Sequence, residues 1–321
     1  MIDVFCSAPW YVDHVAPIWL ALPKEARGAL YVTPRAAPAA VGLPRVTTRT
    51  FARFTPDRPI LTMSFGDYRS ARAAGRTRIA VGQHGAGQSY SNDHPAYPGG
   101  RGYEQASLFL VPNDTAARRW RERYPSTPVA VIGCPKLDTL PARDPALTEP
   151  VVAFSFHWDG PTIAPEMRSA WTWYRHLVPL VAKEHKVIGH AHPRALGRVS
   201  RWYDTAKIEI VPSFSDILRR ASVYACDNSS SMFEFAATGR PVVVLNAPVF
   251  RRNVEHGLRF WEAASVGVQV DRPSLLGDAV KLAIADPPEV RAAREAAVRT
   301  VYQPLRGGAE IAARALLAWA R

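Results

Sequence analysis

The chain has 321 residues, 47% apolar and 21% charged, with a formal net charge of +12. That length suits two domains of roughly 100–200 residues each. Composition is that of an ordinary globular protein, and no apolar run approaches the ~18–20 residues of a membrane-spanning helix, which excludes an integral helical membrane protein.

Residues 1–5 carry neither a basic region nor a cleavable apolar segment, so no secretory signal is expected and the chain reads as cytoplasmic. Residues 2–5 read as a first strand. Over 11–22, Val12, Val15, Ile18, Trp19 and Leu22 have the spacing of an amphipathic helix. Apolar runs at 30–33, 60–64, 78–82, 108–112 and 129–132 read as further strands. Helices are expected at 68–74 and 113–123, the latter capped by Asn113 or Asp114. Residues 140–150, rich in Pro, Asp and Ala, read as a linker. A second alternation follows, with strands at 151–156, 186–190, 208–211, 221–226, 242–245 and 267–270. Helices are expected at 164–183, 215–220, 232–238, 274–285, 288–302 and 308–321. Strands alternating with helices indicate parallel sheets, which bind ligands at the carboxyl ends of their strands. Two α/β domains facing each other across a cleft are the expected architecture. Cys6, Cys134 and Cys226 are scattered in or beside apolar runs and read as core residues in a reducing compartment.

Four segments carry candidate chemistry. Residues 225–245 read as strand, loop, helix and strand, with Asp227, Asn228, Ser229, Ser230 and Ser231 in the loop. A serine-rich loop opening a helix offers N–H groups and hydroxyls to phosphate, and Glu234 one turn on can accept from ribose hydroxyls. The plainer reading is helix capping. Gln83-His84-Gly85-Ala86-Gly87 follows a strand. There the glycines allow close backbone approach and His84 can act as a general base. A turn histidine with incidental glycines is the alternative. His190-Ala191-His192-Pro193-Arg194 also follows a strand. No partner at metal-site spacing accompanies its two histidines, so His192 and Arg194 read as donors to a diphosphate, and no metal is expected. Gly133-Cys134-Pro135-Lys136-Leu137-Asp138 is either a domain-edge turn or a substrate contact. Asp67, Glu104, Asp114, Asp159 and Glu166 lie near loops or helix starts without forming an acid/base pair in sequence. Trp171-Thr172-Trp173-Tyr174 reads as helical core rather than a binding face.

In this order the four segments resemble the CDP-glycerol glycerophosphotransferase family, of the teichoic acid polymerase type. Gln83-His84-Gly85 is similar to the family's His-Gly turn, and Gly133 to Asp138 to its Gly-Tyr-Pro-Arg-x-Asp segment. His190 to Arg194 is similar in part to its Lys-x-His-Pro segment. Cys226 to Phe235 is similar to its Thr-Asp-Tyr-Ser-Ser-x-x-Phe-Glu-Phe signature. Gly307-Gly308-Ala309-Glu310 with Arg314 also looks like the family's C-terminal segment. Val12 to Ile18 looks like the first helix of the more distant UDP-GlcNAc 2-epimerases. The resemblance implies the α/β GT-B fold: Rossmann-like domains at 1–142 (acceptor) and 151–303 (nucleotide donor), facing across a cleft, with residues 304–321 forming a helix that crosses back to the N-terminal domain. It implies His84 as the base on the acceptor hydroxyl and His192 as the group stabilising the donor phosphates. By the same resemblance Gly85, Arg194, Ser229, Ser230 and Ser231 hold the donor and Glu234 its ribose. No cofactor beyond a CDP- or UDP-linked donor is implied. The chain departs from the family in lacking a lysine soon after the His-Gly turn, and in having Asn228 for Tyr and Lys136 for Arg.

The implied activity is metal-independent transfer of a glycosyl or glycerol-phosphate group to a hydroxyl. The alternatives are a glycosyltransferase acting on a hydroxylated DNA base, which would have to be flipped out, a non-catalytic nucleotide-binding module, and a 2-epimerase. The positive charge suits a polyanionic acceptor, DNA or a phosphate polymer. The competing explanation is compositional, since arginine supplies nearly all of that charge, as in a GC-rich genome.

Overall fold

A computed structural model describes residues 1–48, 58–87, 94–95, 97–159, 168–248 and 266–321. Glu166 and the start of the helix expected from residue 164 lie outside the described residues. The chain divides into two units, residues 1–139 with 301–321, and residues 140–300.

The first unit contains a parallel sheet of seven strands: β1 (Ile2–Cys6), β2 (Arg27–Val32), β3 (Val46–Thr48), β4 (Ile60–Thr62), β5 (Ile79–Gly82), β6 (Ala106–Val111) and β7 (Val129–Val131). Their order is β3-β2-β1-β4-β5-β6-β7, so the winding reverses between β1 and β4. β1 is buried along its whole length, as expected of a central strand covered on both faces. Among the described residues, α1 (Pro9–Ala21), α2 (Phe65–Ala73) and α3 (Asp114–Arg123) flank the sheet. α1 and a C-terminal helix (Gly308–Trp319) share one core, where Val12, Val15, Ile18 and Trp19 cluster with Ala312, Ala313 and Leu316. α2 and α3 share the other, centred on Tyr68, Phe109 and Trp120. The edge strand β3 is not among the expected elements, being three residues long and without a fully buried side chain.

The C-terminal helix returns to the first unit, as expected, and the 133–138 segment holds it there. Asp138 accepts from the backbone N–H groups of Gly307 and Ala309, both at 2.8 Å, at the positive end of the helix. Gly133 has φ +68°, and a Cβ on it would lie 2.1 Å from the Pro304 carbonyl oxygen, so no larger residue fits. At the amino end of the sheet, fully buried Asp3 pairs with fully buried Arg76 at 2.5 Å and accepts from Ala29 N at 2.8 Å. Removing one member of such a pair costs roughly 3–5 kcal/mol.

The second unit repeats the plan with six parallel strands: β8 (Val151–Phe156), β9 (Lys186–Ala191), β10 (Glu209–Ile210), β11 (Val223–Cys226), β12 (Val242–Leu245) and β13 (Val268–Val270). Their order is β10-β9-β8-β11-β12-β13, with the reversal between β8 and β11. Its helices are α4 (Trp171–Tyr174), α5 (Val178–Val181), α6 (Leu196–Thr205), α7 (Phe214–Arg220), α8 (Ser231–Ala236), α9 (Leu276–Ala285) and α10 (Pro288–Val301), the last running to the unit boundary. The helix expected through residue 183 is instead broken into α4, a 3-10 turn (Arg175–Leu177) and α5. Pro179 explains the break, because it lacks an N–H and its ring would clash with the Arg175 carbonyl of a continuous helix. Trp171 and Tyr174 are core residues, as read. α6 is not among the expected elements, although Leu196, Val199 and Tyr203 carry a helical period that the interspersed Arg198 and Arg201 obscure. All three cysteines are free and buried.

Candidate functional site

Each unit gathers polar residues at the carboxyl ends of its strands around the point where the winding reverses, the place where open α/β sheets bind ligands. In the first unit β5 runs into Gln83 and His84, and Gly85 (φ +80°) and Gly87 (φ +73°) turn the chain back. The Asn113 amide donates to the Ala86 carbonyl at 3.1 Å and to the Val301 carbonyl at 2.8 Å, which fixes that turn. Gln88 and Ser89 lie outside the described residues. His84 Nδ1 is 3.1 Å from the Met63 carbonyl oxygen. A carbonyl only accepts, so Nδ1 carries a proton, and in the neutral ring Nε2 carries the lone pair. α1 sets Tyr11 edge-on to the His84 ring at 4.8 Å and His14 at 6.2 Å between centroids. Burial, with lesser contributions from Lys136 and His84, holds the His14 pKa well below the usual imidazole value, so it is neutral at pH 7.

The same place holds one of the five carboxylates that the sequence named without assigning a role. Asp67, in the first turn of α2, is 1% exposed. Its Oδ2 accepts from the Ser7 N–H at the end of β1 at 3.4 Å, and its own N–H donates to Ser64 Oγ at 3.0 Å. Oδ1 is buried without a hydrogen-bond partner. The Ser64-x-x-Asp67 spacing directly after a strand is a capping signature and was the available signal. Burial pushes the Asp67 pKa up to about 6 from 3.8, against the opposing effect of hydrogen bonds from Ser7 and Ser64. The folded state therefore binds the proton more tightly than the unfolded chain, so this group adds stability as pH falls from 6 toward 3.8 and penalises the fold above 6. Asp67→Asn is expected to be more stable relative to wild type at pH 7.5 than at pH 4.5, by roughly 1–3 kcal/mol. Urea melts of both proteins at the two pH values test this, and a difference independent of pH would contradict it.

In the second unit β8 ends at His157-Trp158-Asp159, β9 at His192-Pro193-Arg194 and β11 at Asp227-Asn228-Ser229. Asp227, 2% exposed, joins the loops after β8 and β11. Its Oδ1 accepts from the His157 N–H at 2.8 Å, and its Oδ2 accepts from Ser169 Oγ at 2.9 Å and the Ala170 N–H at 2.7 Å. Burial, opposed by these hydrogen bonds, raises its pKa to about 6. The side chain thus faces β8 and the 169–170 segment rather than capping α8.

His192 lies 5.0 Å from His157 and 6.1 Å from Trp158 between ring centroids, and the Arg194 guanidinium sits 4.5 Å over the Trp158 ring. The Arg194 N–H donates to His192 Nδ1 at 3.1 Å. That nitrogen must carry a lone pair, which leaves the proton on Nε2. His192 therefore has the tautomer opposite to that of His84. His157 is half-buried, and desolvation pushes its pKa down to about 4 despite the Trp158 carbonyl and Asp159. His190 points into the core, with Nδ1 2.8 Å from Ser155 Oγ. On the far side of β8, Ser231 Oγ lies 2.8 Å from Ser229 Oγ and 2.9 Å from Tyr224 Oη. Ser230 occupies the N-cap position of α8 without a side-chain cap bond, and Glu234 within α8 is 3% exposed. His157 and Trp158 are functional candidates that sequence reasoning missed. Their signal was a polar aromatic pair immediately after an apolar strand.

Among the described residues no group of three or more His, Cys, Asp and Glu side chains is placed to hold a metal ion, and no helix is long and apolar enough to cross a membrane.

No protein-family model matches the chain, and no curated protein matches it in sequence. Solved structures do resemble it. S. aureus MnaA with UDP is 15% identical with a TM-score of 0.64, covering 98% of this chain and 94% of that one. The UDP-GlcNAc 2-epimerase from Neisseria meningitidis bound to UDP-GlcNAc is 14% identical with a TM-score of 0.60, covering 99% and 98%. The wall teichoic acid polymerase TagF, in a CDPG-soaked crystal, is 11% identical with a TM-score of 0.61, covering 99% and 88%. At these identities the likeness is one of fold: two parallel α/β units of the GT-B type, as the sequence motifs implied.

Proposed function

We propose that this chain is a metal-independent GT-B transferase that moves a glycosyl or glycerol-phosphate group from a CDP- or UDP-linked donor to an acceptor hydroxyl. The observation that supports this best is the pair of opposite imidazole tautomers. His84 offers an Nε2 lone pair suited to taking the acceptor proton, and His192 offers an Nε2–H suited to a leaving phosphate. In the proposed reaction the acceptor oxygen bonds to the transferred carbon or phosphorus as its proton passes to His84. The bond to the departing nucleotide oxygen breaks, and His192 and Arg194 neutralise the charge that develops there. These groups supply the neutralisation that a divalent cation would otherwise supply. Gly85 gives the backbone close access, Ser229, Ser230 and Ser231 hold the diphosphate, and Glu234 the ribose.

A nucleotide-sugar epimerase is the second reading. Asp67, with its pKa near 6 and an unpartnered Oδ1, supplies a further proton carrier in the unit that holds His84. Incubation of the donor alone separates the two readings, since an epimerised sugar would favour the second and an acceptor-dependent product the first.

Thermal-shift screening against CDP, UDP, GDP and dTDP conjugates tests the nucleotide assignment. A cognate conjugate at 100 times its Kd should stabilise the fold by about 2.7 kcal/mol, and Arg194→Ala with Ser229→Ala should remove most of the shift. No shift with any conjugate would overturn the assignment. With a transferring donor in hand, a steep fall of acceptor binding with salt would identify a polyanionic acceptor, DNA bearing a hydroxylated base included.

A further inference from the structure

The second unit holds a cavity of about 720 Å³ remote in sequence from the residues assigned above. One wall is the segment Pro141 to Pro145, and the others are the end of β10 and the side of α7 carrying Asp216, Arg219 and Arg220. The Asp144 N–H donates to the Arg219 carbonyl at 2.8 Å, which fastens the segment to the end of α7.

The charges here are not matched one to one. Arg220 is engaged by Glu209 through two hydrogen bonds of 2.6 Å, and Arg219 by Asp216 at 3.3 Å. Among the described residues Arg143 has no carboxylate partner. Its Nη2 donates to the Glu149 carbonyl at 2.9 Å, and its Nε is buried without a partner. Arg240, which does not line the cavity, is likewise without a carboxylate partner among the described residues. It donates to the carbonyls of Leu218 and Ala221, both at 2.7 Å, stacks 4.5 Å over the Phe235 ring, and leaves Nη2 buried without a partner. Burial and the charge of Arg143 together depress the Arg240 pKa to about 10. Arg143, a guanidinium of the cavity lining with an unused N–H and the charge of Arg240 acting on it, is unfavourable by itself, and an anion beside it supplies the missing countercharge. Asp144 opposes such an ion, although its Oδ1 is turned into its own loop and accepts from the Ala146 N–H at 2.9 Å.

We propose that this cavity is a second ligand site, taking a small phosphate-bearing anion on Arg143 and the arginines of α7. Phosphate oxygens supply the in-plane acceptors that guanidinium forks match, while Pro141, Pro145 and Ile210 supply an apolar wall for an organic substituent. The site does not rest on the transferase reading.

The test is equilibrium dialysis with radiolabelled inorganic phosphate at constant ionic strength. It uses the full chain carrying Arg194→Ala and Ser229→Ala, so that the nucleotide-side residues do not contribute. Phosphate should still bind in this background. Adding Arg143→Gln should weaken it at least about tenfold, the loss of one charge-assisted pair, and adding Asp144→Asn should tighten it several-fold. In chloride alone Arg143→Gln should melt close to its parent, because relief of the repulsion from Arg240 offsets the lost bond to the Glu149 carbonyl. The gain with Asp144→Asn cannot arise from misfolding and keeps the test decisive. Loss of binding in the background itself, or unchanged affinity with both added substitutions, overturns the site. Glycerol 3-phosphate in place of inorganic phosphate distinguishes the free ion from a phosphomonoester, the latter binding more tightly if the apolar wall is used.

Discussion

Replacing His84 with alanine should lower turnover about 10²–10⁴-fold, the usual contribution of a positioned general base, with nucleotide affinity within about twofold of wild type. The expectation follows from the placement of the imidazole. The Met63 carbonyl holds Nδ1 as a donor, and Tyr11 and His14 pack against the ring, so Nε2 bears the lone pair in a defined direction. Neutral His14 adds no competing positive charge at pH 7. The variant truncates an exposed side chain, so its melting temperature should be little changed. The measurement is single-turnover transfer with the cognate donor, alongside nucleotide titration. Turnover near the wild-type rate would remove His84 from the role of base, and a matching loss of nucleotide affinity would make it a binding residue instead.

The second large effect is expected at Asp227. Asp227→Ala leaves the N–H groups of His157 and Ala170 and the hydroxyl of Ser169 without their acceptor at a site 2% exposed. Each buried unsatisfied donor costs roughly 1–3 kcal/mol. Allowing for partial rearrangement, a total of roughly 3–5 kcal/mol is expected, against a typical domain stability of about 5–15 kcal/mol. Because these bonds join the loops after β8 and β11, nucleotide affinity should fall together with stability. Urea denaturation and nucleotide titration measure the two effects. A stability loss under about 1 kcal/mol would show that the loops hold themselves in place, and unchanged affinity would detach them from the donor.

The linkage at this site has two signs. The Asp227 carboxyl, with its pKa raised to about 6, adds stability as pH falls through 6 toward 3.8. His157, lowered to about 4 from 6.5, stays neutral in the fold while the unfolded chain takes up its proton, so it costs stability as pH falls from 6.5 toward 4. The two oppose one another over the same range, which is why such effects are best read as differences between a variant and wild type.

Much of the fold was legible because parallel strands write themselves as short apolar runs. The runs at 60–64, 78–82, 151–156 and 242–245 all became strands within two residues of their expected bounds. The helix expected to end at 238 is followed by Gly239, whose φ of +82° lies shortly beyond the end of α8 at Ala236. Asn113 caps α3 through a 2.9 Å bond to the Ala116 N–H. Elements whose identity depends on neighbours were less legible. β3 is a strand because β2 lies beside it, and α6 because its apolar stripe finds the core of the second sheet.

The sequence by itself determined the alternation of strands and helices and the position of each candidate segment at a strand end, which follow from local pattern and from the rule that parallel sheets present their loops at one edge. The return of the C-terminal helix came from the family resemblance of its motifs. Only the tertiary structure decided what each polar side chain does there. Asp227, in sequence a plain cap for the serine loop, became the joint between three segments because β8 and β11 are neighbours in the sheet. Asp138 became the cap of a helix that begins 170 residues later, at Gly308. The tautomers of His84 and His192 are set by one carbonyl and one N–H, and no composition or spacing encodes them. Hydrogen bonds and burial belong to groups brought together by folding, so the protonation that gives a residue its chemistry is a property of the assembled site.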